Sequence, residues 1–477
     1  MRGATRLAAL TLLCLLAPSL AFAQSRGELD RIAKAMGATN LKSIEITGSG
    51  TNYAVGQSAV PGAPWPRFIV KSFTRAVDYQ AGAMRDEYVR TQGEEPPRGG
   101  GLQPIRGEQR QLFLMSGDYA WNVVNEAPVP APITLAERRF QLWTSPHGVI
   151  KAALANKATV KDRVITFSIP GHMNVRATVD AKRFVEHVQA TIPNAVVGDL
   201  GYEIRYSEYR DFGGVKFPTK IEQSAGGFPS LDVTITGVKP NVALDVTVPE
   251  PVRQAASPYA KVASEKVADG VWYLTGGTHH SVLIELTDHL ILVEAPLNDE
   301  RTLAVLNEVK TLSPKPIKYV VNSHHHFDHA GGVRAAAGEG LTILTHEVNR
   351  PFLARAVGAA ATVSPDHLAK SSKKGTVEGV RDKQVLADGT REVEIHQIAG
   401  NPHHDGLLMV YLPKERLLIQ ADAFTPGPPN AEPPMPPNPF SVNLADNITR
   451  LGLSVDQLLP LHGRIVPLAE LTRAIGR

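Results

Sequence analysis

Ser323-His324-His325-His326-Phe327-Asp328-His329-Ala330-Gly331-Gly332 decides how the second half of the chain reads. Four imidazoles and a carboxylate crowd into one stretch that follows the apolar run over 317–322. Protonating one histidine disfavours the charge on its neighbours. A dication removes that conflict, because neutral imidazole and carboxylate are its ligands. In extended chain, residues two apart point the same way, so His324 and His326 reach one cation together. Asp328 and His329 come after the chain turns and reach a second position. Gly331-Gly332 lets the backbone pack closely where the next helix begins.

The pattern His324-x-His326-x-Asp328-His329 resembles the HxHxDH motif of the metallo-β-lactamase superfamily, without departure. That resemblance implies further ligands downstream. A third histidine is expected in a loop before a strand that ends in proline. The register ten residues before Pro413 selects His403, and its neighbour His404 is read as lying behind the ligands. Asp422, ending the run 416–421, holds the place of the superfamily's next ligand. An aspartate there resembles glyoxalase II, lactonase and tRNA-processing members, in which the carboxylate bridges two metals. His462, in Leu461-His462-Gly463, resembles the last superfamily histidine.

The implied site has one metal on His324, His326 and His403, and another on Asp328, His329 and His462, with Asp422 between them. The nitrogen and oxygen donors suit two zinc ions per chain, and manganese or iron remain open. Two such ions share a water and yield a hydroxide nucleophile, which Asp328 would orient as the catalytic carboxylate. The implied reaction is hydrolysis of a small-molecule lactone, thioester or ester. Two other readings stay compatible with the sequence: an iron-dependent member like the persulfide dioxygenases, and a lipid- or peptide-binding protein with a vestigial metal domain. His279 and His280 sit where they could line the cleft. Glu294 is read as a carboxylate that organises the motif loop without ligating.

Around the motif, strands are expected at 271–274, 282–286, 290–293, 317–322 and 342–345, with a helix at 300–312. Strand–helix alternation argues for an α/β layered domain; the resemblance implies an αβ/βα sandwich over 256–477. Residues 425–439, rich in proline, are expected to form a stiff loop. Residues 24–255 read as a mostly antiparallel β domain. After a short helix at 28–36, strands are expected at 43–51, 66–74, 111–116 and 164–169, and several more within 202–238. A helix is expected at 135–155 and a loop at 94–104. The segment 206–217, its Gly213-Gly214 turn and Phe217-Pro218 resemble the closing hairpins of LolA-like lipoprotein-carrier domains. That resemblance implies lipid or peptide contact by this domain.

The chain has 477 residues, 43% of them hydrophobic, enough for two cores. Arg2 and Arg6 precede an apolar stretch over 7–20, and Ala21-Phe22-Ala23 fits a small-x-small cleavage site. A signal peptide is therefore expected at 1–23, with a periplasmic or secreted product that stays out of the membrane. The one cysteine, Cys14, lies inside it, so no thiolate ligand is available to the mature chain. Removing those two arginines lowers the net charge from +3 to about +1, too balanced for nucleic-acid binding. Intact-mass measurement of the exported protein is expected to give a chain starting at Gln24. A membrane-bound product that retains Met1 would refute the cleavage.

Overall fold

The computed structural model describes residues 24–429 and 431–477. The signal segment expected at 1–23 lies outside them. The described residues form three sheets, of thirteen, seven and six strands.

The thirteen-stranded sheet takes up the chain from Ser43 to Pro240. Its first strand, Ser43–Tyr53, pairs antiparallel with Phe228–Pro240, which brings the two ends of the domain together at mid-sheet. Its strands carry a period-two pattern. In Met173–Val179, Met173, Val175, Ala177 and Val179 are buried and the residues between them face out. One face is therefore dry. A helix over 24–35 and the helices Leu135–Thr144 and Pro146–Ala155 contribute to that core through Ile32, Phe140, Leu142 and Ile150. The single helix expected at 135–155 is broken in two. Pro146 lacks the amide a continuous helix needs, so it starts a new helix, and Ser145 Oγ caps Gly148 N at 3.2 Å. The hairpin at Gly213-Gly214 forms as expected. Both glycines take positive φ, the conformation that matches a two-residue turn to the strand twist.

Beyond Ala263 the character changes. The seven-stranded sheet runs antiparallel from Ala263–Ala268 to Leu290–Val293, then parallel through Ile317–Val321 and Thr342–His346 to Thr376–Val380. Leu290–Val293 is buried on both faces, and reads as an unbroken apolar run for that reason. The six-stranded sheet is built from Lys383–Ala387 to Val466–Pro467. Ile284, Ile291 and Val321 of one sheet share a core with Ile395, Val410 and Leu418 of the other. Asp299–Leu312, Val333–Gly338 and Arg350–Gly358 cover the first sheet, packing Val305, Val333 and Leu353 against Leu283, Leu292 and Val320. Pro439–Arg450 and Leu468–Ala474 join the second through Leu444 and Leu471. This is the expected αβ/βα arrangement. The expected proline loop ends one residue early, because Pro439 opens a helix, where its missing amide costs nothing.

The two halves are sewn together. Trp65 packs edge-on against Phe228 of the large sheet and Phe327 of the histidine motif, at 5.5 and 6.1 Å between ring centroids. Asp199 accepts from Thr362 N, Thr362 Oγ1 and Val363 N at 2.9, 2.5 and 3.2 Å. Among the described residues, no helix is long and apolar enough to cross a membrane.

Gly56 lies flat on the Phe327 ring. A Cβ there would come 2.3 Å from Cγ of that ring, and the backbone is at φ +80°. Gly56→Ala is therefore expected to cost about 1–3 kcal/mol from overpacking and left-handed backbone. Urea unfolding of the full chain measures it, and an unchanged midpoint would show that the contact constrains nothing.

Candidate metal centre

The site is organised from the end of the strand Leu290–Val293. Glu294 follows it, fully buried, at φ +75°. Its Oε1 accepts from Asn322 Nδ2 at 3.2 Å and Ser323 N at 3.3 Å, which pins the chain as it leaves Ile317–Val321. Its Oε2 accepts from Ser323 Oγ and lies 3.0 Å from His329 Nδ1. Ser323 Oγ is in turn 2.9 Å from His324 Nδ1. With that hydroxyl proton given to Glu294, the Nδ1 of His324 is the donor and its Nε2 is left bare. His329 is fixed likewise, through Nδ1 to the carboxylate.

The bare nitrogens converge. His324, His326, His403 and Asp422 each present one ligand atom, all within 4.8 Å of one another. His279, Asp328, His329 and His462 do the same. Asp422 faces both groups. Its Oδ1 is 3.0 Å from His329 Nε2 and 2.9 Å from His462 Nε2, and its Oδ2 is 2.9 Å from His403 Nε2 and 3.7 Å from His324 Nε2. The fold thus brings His324, His326, Asp328, His329, His403, Asp422 and His462 to one place from four loops.

These contacts fit a divalent cation better than mutual hydrogen bonding. His403 Nε2 and His324 Nε2 face each other at 3.2 Å, as do His462 Nε2 and His329 Nε2 at 2.9 Å. Asp422 Oδ1 sits between two imidazole Nε2 atoms, and His326 Nδ1 is buried with no partner. Burial, reinforced by neighbouring imidazoles, holds His324 and His326 far below the ordinary histidine range, so both are neutral and ready to ligate. Burial alone would neutralise Asp422 and Asp328. The facing imidazoles, His329 first, override it and hold both carboxyls well below their usual range. His329 moves the other way: Asp422 and Asp328 overcome its burial and raise it. Without a cation, it is the proton on His329 that compensates these carboxylates.

The remaining histidines divide by their partners. His404 accepts from Gly406 N at Nδ1 (2.8 Å), so its proton is on Nε2, 2.6 Å from His325 Nδ1. His325 Nε2 then donates to Ser58 Oγ at 3.2 Å, and that hydroxyl donates to the Val60 carbonyl at 3.0 Å. Every member of this chain is satisfied. His325 and His404 therefore need no cation, although their ring nitrogens cluster with that of His326. His280 Nε2 is 2.9 Å from the Gly463 carbonyl and braces the loop that carries His462. His279 goes further. Its Nε2 is 3.3 Å from Asp328 Oδ2, and its ring packs edge-on against His462 at 3.9 Å. Burial pushes it down to about 4. The sequence left its place open, and the only signal was its position between the first two strands expected for the domain.

The group opens into a cavity of about 1140 Å³ bounded by both halves of the chain. Its polar floor includes Gln57, His279 and Asp328, and its apolar walls include Leu102, Phe113 and Phe424.

A family model of the metallo-β-lactamase superfamily matches residues 274–466. A curated relative, 2,4-dinitroanisole O-demethylase subunit alpha from a Nocardioides strain, is 26% identical over 168 residues, 35% of this chain. The match spans 48% of that relative's length. Solved structures that resemble the chain include metallo-β-lactamases from Pontibacter korlensis and Hirschia baltica. Each is 19% identical with a TM-score of 0.35, and each match covers 45% of this chain and 97% or 96% of the other.

Glu294→Gln keeps the shape of the residue that orients His324 and His329 and removes its charge. Metal affinity is expected to fall about 10–100-fold, the usual cost of losing an outer partner of a ligand. Competition with a chromophoric chelator measures this, and wild-type affinity in the variant would reduce Glu294 to a loop brace.

Proposed function

We propose, on the premise that residues 274–466 form a metallo-β-lactamase superfamily domain, that this protein is a metal-dependent hydrolase of ester-like bonds. One observation carries the reading: Asp422 directs one oxygen to each of two imidazole groups. A carboxylate so placed offsets the repulsion between two cations held a few ångströms apart. His324, His326 and His403 would hold one. Asp328, His329 and His462 would hold the other, with His279 beside them. The donor set of nitrogen and oxygen suits zinc. Bound there, such ions lower the pKa of water towards neutrality and polarise a carbonyl oxygen.

The chain's own groups define the rest. Asp328 is ionised, and Gln57 Nε2 donates to its Oδ1 at 2.8 Å. Its Oδ2, towards His279, would orient the attacking water as a hydrogen-bond acceptor. The apolar walls hold the acyl or leaving group and exclude bulk water from the scissile carbon. Water adds to the carbonyl carbon, the C–O or C–S bond breaks, and the proton leaves with the alcohol or thiol. Export after loss of residues 1–23 belongs to the same proposal. A second reading, cleavage of an activated aryl methyl ether, has support in the curated relative that carries that activity in its name.

Two measurements test these readings. The metal-loaded protein is expected to hydrolyse a member of a panel of lactones, thioesters and esters. Turnover of 2,4-dinitroanisole alone would favour the second reading, and one iron per chain with no hydrolysis would sink both. Asp422→Asn removes the negative charge between the two groups while keeping the shape. It is expected to cost the second metal at least 10–100-fold in affinity and the first far less, with activity tracking second-metal occupancy. Equal affinities in variant and wild type would show Asp422 to be a strand-end cap.

A further inference from the structure

The loop joining the first two strands of the large sheet, residues 54–66, leaves the sheet where Tyr53 pairs with Arg67. It runs directly onto the histidine motif. Gly56 O accepts from Phe327 N at 3.2 Å. Ser58 O accepts from His326 Nε2 at 2.9 Å, which places the proton of that ring on Nε2 and frees the buried Nδ1. Ala59 O accepts from Asp405 N at 2.9 Å, next to the loop that carries His403. Between these backbone contacts, Gln57 points its amide at Asp328 Oδ1, 2.8 Å away.

Gln57 is itself held. Its carbonyl accepts from Gly100 N at 2.9 Å. A Cβ on Gly100 would fall 1.9 Å from Gln57 Oε1, so a second loop of the same domain closes over the side chain. An ionised carboxylate has two oxygens to direct. Anchoring one by a fixed donor decides where the other points. His279 faces the other oxygen from the opposite side.

We infer that the N-terminal sheet domain is part of the metal site, and that Gln57 is a positioning residue that holds Asp328 for the second cation. The inference rests on the metal-centre reading above but not on the identity of the substrate. It predicts an asymmetric defect. Gln57→Ala should weaken the second-metal site about 10–100-fold and leave the first within about twofold. kcat should fall while KM moves little, because Gln57 acts through Asp328. Gln57→Glu should do at least as much harm, since it sets a second carboxylate against Asp328.

The experiment is titration of metal-free full-length protein with Co²⁺ alone, followed by its visible spectrum, and with Zn²⁺ alone, for wild type and both variants. Arg98→Ala is the control. It removes an exposed ion pair between the same two domains, Arg98 to Asp405 at 2.7 Å, without touching Asp328. Selective loss of the second cobalt signature in the Gln57 variants, with Arg98→Ala unchanged, supports the inference. Wild-type binding by Gln57→Ala, or an equal loss in Arg98→Ala, overturns it. A wild type that binds both cations but hydrolyses nothing in the panel defeats the ester reading and leaves this inference standing. A wild type that binds no metal overturns both.

Discussion

A single buried carboxylate orders side chains in both of the converging groups. Glu294 is directly opposed to His329 in one group and reaches His324 in the other through the Ser323 hydroxyl. Burying a glutamate side chain completely is costly unless its oxygens are hydrogen-bonded. Here Asn322, Ser323 and His329 provide those bonds. The same bonds that make its burial tolerable fix which nitrogen of each imidazole carries the proton. The bare nitrogens that meet at Asp422 follow from that choice.

The fold handles crowded histidines in two different ways at one place. One set turns ring nitrogens and carboxylate oxygens towards common points, a donor set that fits a divalent cation. The adjacent set, His404, His325 and Ser58, passes hydrogen bonds in a single direction and ends on a backbone carbonyl. The two sets meet at neighbouring residues of one loop, His325 and His326. What separates them is the partner that each ring finds across the chain.

The legible and illegible parts of this molecule divide along the same line. His324, His326, Asp328 and His329 stand within one loop, so their spacing alone suggested cation ligands. His403, Asp422 and His462 became legible only through a family resemblance, since nothing local ties a lone loop histidine to a site elsewhere. Runs of strand-forming residues split by glycine and proline turns marked strands of the large sheet. Gln57 and Ser58 were not legible at all. Their partners lie 271 and 268 residues downstream, and an amide or a backbone carbonyl leaves no pattern in a sequence. Glu294 was read as an organiser of the motif loop, and the structure adds that it faces His329. The break at Ser145-Pro146 was missed because the apolar face runs on through it, while the missing amide of the proline ends the helix.

His326 and Asp328 each have two obligations, one to the cation group and one to the loop around Gln57. Such shared residues make cation binding and domain docking a single linked equilibrium. Whatever factor the docked loop adds to the affinity for metal, bound metal adds to the affinity of the loop for its seat. The junction between the domains then responds to metal supply. On that linkage, the contacts of Gly56 with Phe327 and of Gln57 with Asp328 would tighten as metal fills the site, and the cavity wall that the N-terminal domain provides would be held with them.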